Sequence, residues 1–134
     1  MNTRVIIESY FGNTLQIAHA IADALPNAQI QSFDEAPDVI PDDINLLLLG
    51  APTHEAALPT PKSRHSAATR SSTGSANRIQ PPPQRGLAEW IKHATIPAGT
   101  RTITFDTSAG RFATLFGCAA KAAAKQLRAR GFQV

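Results

Sequence analysis

Six consecutive residues, Ser9-Tyr10-Phe11-Gly12-Asn13-Thr14, place hydroxyls and an amide between an apolar run and a stretch of helical spacing. Such side chains exchange hydrogen bonds without carrying charge. A helix that starts here adds unpaired backbone N–H groups and the positive end of its dipole. The combination suits an anion, and a phosphate above all. Gly12 permits close approach or a positive φ. A plainer role fits the same residues, because Asn13 or Thr14 would cap a helix with no ligand present.

Other signatures for phosphates and nucleophiles are missing. No G-x-G-x-x-G follows the first apolar run, and no G-x-x-x-x-G-K-[ST] occurs. There is no G-x-S-x-G elbow. The sixth residue after Cys118 is Ala124, so a Cys-x5-Arg loop fails. Gly50 stands where a phospho-acceptor domain would need an aspartate. His54 has the right pKa range for proton transfer, but a plain loop histidine fits equally. Asp106 can cap the turn that follows it or contact a ligand. Cys118 reads as a small buried residue and Trp90 as a core anchor.

These residues need a frame, and the apolar pattern supplies one. Arg4–Glu8 is a short β-branched run suited to a strand buried on both faces. Ala18, Ile21, Ala22 and Leu25 recur with helical spacing over Thr14–Leu25, Leu15 and Ile17 widen the stripe, and Pro26 stops it. Gln29–Phe33 and Asn45–Gly50 predict a second and a third strand, and the acidic segment 34–43 between them has little room for a helix. Gly86–His93 predicts a short helix, Arg101–Asp106 a fourth strand, and residues 115–130 an alanine-rich helix closed at Gly131. Residues 63–84 hold Ile79 as their only large apolar residue and predict a mobile surface loop.

Alternation of this kind implies a single α/β domain over 1–134, a doubly wound parallel sheet with helices on both faces. Ligands of such sheets bind beyond the carboxyl ends of the strands, so turns 9–14, 51–58 and 106–111 matter most.

The chain has 13 Lys/Arg, 10 Asp/Glu and a net charge of +3, unevenly spread. Residues 1–59 contain Arg4 as their only Lys/Arg; Glu89 and Asp106 are the only acids after residue 59. The basic residues are scattered, with no interleaved aromatics to stack bases, which argues against nucleic acid. No apolar run reaches the roughly 18 residues that span a bilayer. The opening Met1-Asn2-Thr3-Arg4 has no signal-peptide pattern, and one cysteine agrees with a reducing cytoplasm. That lone thiol also excludes a disulfide or a multi-cysteine metal site within one chain.

Three segments taken together resemble the flavodoxin family. ESYFGNT resembles its phosphate-binding loop. LLLLGAPTHEAALPTPKSR resembles the third strand and following loop of actinobacterial members, and FDTSAGRF with GCAAKAAAKQLRARGF resembles the fourth strand, its loop and the next helix. The resemblance implies sheet order 2-1-3-4-5 and an FMN cofactor. By it, Ser9, Tyr10, Phe11, Gly12, Asn13 and Thr14 hold the FMN phosphate. Pro52, Thr53 and His54 flank the flavin ring on one side, and Asp106, Thr107, Ser108 and Gly110 approach on the other. Where the family stacks the ring on Trp or Tyr, these turns offer only His54 and Phe112.

Three functions stay open on this reading: an FMN electron carrier serving a redox partner protein or a small-molecule donor, an FMN-dependent quinone or small-molecule reductase, and a flavin-free module binding an acidic partner through its basic face. Against the family pattern the fifth strand barely begins at Phe132-Gln133-Val134 and the final helix is missing. The expectation is a truncated form, with a partner or a second copy covering a sheet face left open over Val5–Ile7 and Leu46–Leu49.

Overall fold

The computed structural model describes residues 1–10, 12–53, 58–65, 84–107 and 118–134. Four strands form one parallel sheet of order β2-β1-β3-β4: β1 (Thr3–Ile7), β2 (Ala28–Ser32), β3 (Leu46–Pro52) and β4 (Arg101–Thr107). Helix α1 (Asn13–Ala24) lies on one face, and α2 (Leu87–His93) and α3 (Ala119–Ala129) on the other.

The continuous apolar runs of β1 and β3 follow from this layering, because successive side chains point to opposite faces. Val5, Ile7 and Leu48 pack with Ala18 of α1, while Ile6, Leu47 and Leu49 pack with Leu87, Trp90, Ile91, Ala123 and Leu127. Segment 34–43 contains no helix. It contributes Ala36 and Ile40 to the α2 side of the core, where Trp90 donates to the Pro37 carbonyl at 3.0 Å and its ring lies 5.8 Å from that of Phe33.

Several boundaries differ from the sequence reading. Ile17 is 41% exposed, since α1 buries a narrower stripe than its apolar residues suggested. Helix α3 starts at Ala119 with half-buried Cys118 as its N-cap residue, so the thiol is not inside the helix. After α3, Gly131 N–H bonds Arg128 O at 2.9 Å and Phe132 N–H bonds Leu127 O at 3.1 Å, a paired closure typical of a glycine-ended helix. Residues 132–134 do not join the sheet; Phe132 and Val134 lean on the α2–α3 core.

The open sheet face is also smaller than expected. Val5, Ile7 and Leu48 are all at most 7% exposed, because α1 covers the centre of its face. The exposed apolar surface there is at β4, where Ile103 is 44% exposed. Most of the predicted loop 63–84 lies outside the described residues. Its two ends are fixed: residues 61–65 form a helical turn, and Asp34 accepts from the backbone N–H of Gln84 and Arg85.

Candidate functional site

The first turn begins where β1 ends. Glu8 N–H still bonds Gly50 O at 2.9 Å, and the chain then leaves the sheet and enters α1 through Gly12. Gly12 has φ 90°, a left-handed conformation that a side chain would strain. Its N-cap residue, Gly12, brings no side-chain cap to α1. The expected cap from Asn13 or Thr14 is absent because both residues already belong to the helix, and the Thr14 hydroxyl crosses to Thr107 Oγ1 at 2.8 Å. Among the described residues, no side chain caps the first N–H groups of the helix.

Ser9 adds the most telling detail. It is 6% exposed, yet its hydroxyl has no hydrogen-bond partner among the described residues. An unpaired buried hydroxyl costs free energy on the order of 1–3 kcal/mol.

The ends of β3 and β4 meet this turn. Thr53 N–H bonds Thr107 O at 2.8 Å. Thr53 Oγ1 accepts from Ala119 N–H at 3.0 Å and Asp106 Oδ2 from Ala120 N–H at 2.9 Å, so both side chains cap α3. The structure therefore brings together Thr14, Thr53, Asp106 and Thr107, with Pro52 as the last residue of β3. Phe11, His54, Ser108, Gly110 and Phe112 lie outside the described residues.

Tyr10 is used differently from the expectation. Its ring is 5% exposed, and its hydroxyl donates to the carboxylate of Glu8. The side chain is turned toward Glu8 and not toward the start of α1. Around Glu8 lies a buried charge cluster that the sequence reading missed. Glu8 is 1% exposed; its Oε1 also receives Arg64 Nε at 2.6 Å, and its Oε2 receives Leu87 N–H at 3.1 Å. Arg64, 5% exposed, reaches Glu89 Oε2 at 2.5 Å and Pro59 O at 3.3 Å. Glu89 in turn accepts from Gly86 N–H at 3.2 Å.

The cluster fixes its own charge states. Burial, followed by the charge of Glu8 and the bond to it, raises the Tyr10 phenol above its ordinary range, so it stays a donor. Burial works against a charged Arg64, but hydrogen bonds to Glu89 and Glu8 outweigh it and raise the guanidinium pKa. Burial also works against an ionised Glu89, yet the Arg64 hydrogen bond and the backbone N–H of Gly86 bring its pKa below the usual carboxylate value. A carboxylate ending an apolar strand was the one sequence signal for this cluster.

No protein-family model and no curated protein matches the chain. Among solved structures it is similar to a flavodoxin from the domain Archaea, at 15% identity and a TM-score of 0.40, over 96% of this chain and 98% of the other.

Proposed function

We propose that this chain binds FMN by receiving its phosphate in the first turn, and that it works as a flavin electron carrier. The observation behind this reading is that, among the described residues, the start of α1 has no side-chain cap and the buried Ser9 hydroxyl has no partner. A phosphate would supply acceptors to both the free N–H groups and Ser9, and the helix dipole favours its charge. Gly12 lets the chain turn into α1 at positive φ. Thr14 and Thr107, tied to each other, hold the end of β4 against the turn. When bound, FMN supplies the redox chemistry and the protein supplies binding and orientation.

The turn's donors are neutral, which agrees with recognition by hydrogen bonding. The basic residues give little support to a flavin-free module. Arg64 is buried in the Glu8 cluster, and half-buried Arg85 and exposed Arg130 are tied to acceptors of the chain itself: Arg85 to Asp38 at 2.7 Å and the Ala36 carbonyl at 2.6 Å, Arg130 to the Ile91 and Ala94 carbonyls at 2.7 and 2.5 Å.

Ser9→Ala separates function from folding. Losing one bond to a charged group costs about 1.5–3 kcal/mol, so FMN affinity should fall about tenfold or more. Riboflavin, which has no phosphate, should bind as before. Stability without ligand should stay level or rise, because an unpaired buried hydroxyl is removed. Equal losses for FMN and riboflavin would put the phosphate elsewhere.

A further inference from the structure

Glu8 raises a problem for an anion at the first turn. It is the residue immediately before Ser9, it is buried, and a bare carboxylate there would repel a phosphate through a medium that screens poorly. Among the described residues the cation bonded to it is Arg64, which arrives from 56 positions away in the chain. Neutral donors, Tyr10 OH and Leu87 N–H, complete its shell. Glu8 and Tyr10 lie two residues apart and converge on one point, so the side chains on either side of Ser9 are both drawn to the α2 side of the sheet.

We propose that Arg64 is a positioning residue for the anion-receiving turn. It offsets the buried Glu8 charge and, through Glu8 and Tyr10, holds Ser9, Gly12 and Asn13 where a phosphate can meet them. This rests on the FMN reading above. Arg64 touches no ligand in this role; it acts through the carboxylate it holds. A lysine could not reproduce the contact, since Nε serves Glu8 while Nη2 serves Glu89 and Pro59 O. Removing Arg64 alone leaves Glu8 buried without its counter-charge, whereas removing both leaves no charge at the buried position and strands only Glu89, which at 29% exposure keeps solvent and the Gly86 N–H.

The experiment uses the full chain, Arg64→Met, and the double variant Glu8→Gln/Arg64→Met. Calorimetric titrations with FMN and riboflavin are paired with hydrogen exchange at the amides of Ser9, Gly12 and Asn13. Arg64→Met should weaken FMN about tenfold or more with riboflavin little changed, and should speed exchange at those amides and not at Val5–Ile7. The double variant should regain most of the FMN affinity and the protection. Equal losses for both flavins, or a double variant no better than Arg64→Met, would overturn the proposal. If Arg64→Met does not fold, the double variant decides: a ratio of FMN to riboflavin affinity near that of the parent supports charge compensation, and a collapsed ratio refutes it. A parent chain that binds no FMN would remove the functional reading alone. Exchange would then judge the clamp, with faster exchange confined to the turn and reversed in the double variant supporting it, and unchanged exchange refuting it.

Discussion

Replacing Gly86 with alanine adds one methyl at the tightest point of the charge cluster. A Cβ there would overlap Glu8 Oε2 and Arg64 Nη2. Both are ends of long side chains, and such ends elsewhere would swing aside cheaply. Here neither can, because Glu8 is fixed by Arg64, Tyr10 and Leu87 N–H, and Arg64 by Glu8, Glu89 and Pro59 O. Overpacking a tight interior costs about 1–3 kcal/mol. Losing one partner of a buried ion pair costs about 3–5 kcal/mol, which sets the ceiling. Urea unfolding of Gly86→Ala should therefore show about 1–3 kcal/mol lost with the slope unchanged. In a Glu8→Ala/Arg64→Ala background both side-chain ends that the methyl would overlap are gone, so the same methyl should cost under about 0.5 kcal/mol. Equal costs in the two backgrounds, or a Gly86→Ala protein as stable as its parent, would refute the account of the cluster.

Two further outcomes follow from the same contacts. The Glu89 pKa is depressed in the folded chain, so its contribution to stability is present above the ordinary glutamate value of about 4.3 and fades as pH falls through the lower folded value. The stability difference between parent and Glu89→Gln, measured in urea at a series of pH values, should shrink across that acid window and stay constant above it; a difference independent of pH would contradict this. Replacing residues 66–83 with a Gly/Ser linker of about six residues should preserve cooperative unfolding, because Arg64 and the start of α2 already meet at Glu8 and so short a linker can span them. Loss of cooperative unfolding would show that the segment is needed for the fold.

Much of the frame was legible in the sequence because its signals are local. The runs at Val5–Ile7 and Leu46–Leu49 could only be strands buried on both faces, Pro26 ended α1, and Gly131 ended α3. The ends of β1, β3 and β4 could be placed for the same reason, as strand ends fall where apolar runs stop. The alternative of a cap by Asn13 or Thr14 could not be settled from sequence, because both are good capping residues and only the positive φ at Gly12 shows that each lies inside the helix. The Glu8–Arg64–Glu89 cluster was illegible for a different reason. Pairing across 56 residues leaves no period in the sequence, and Arg64 sits at the edge of a stretch whose composition suggested only a solvated loop. The resemblance placed Tyr10 at the ligand with the rest of its turn; its hydroxyl donates to that hidden carboxylate.

Phosphorus NMR of FMN mixed with an excess of the chain tests the central claim most directly, since it reports on the phosphate itself. A phosphate held at the start of α1 should resonate away from the position of free FMN. It should also stop titrating near pH about 6, where a free phosphomonoester takes up its second proton, because the bound dianion is favoured by the helix dipole and the turn's donors. A resonance that stays at the free position and titrates as it does in water would contradict the account.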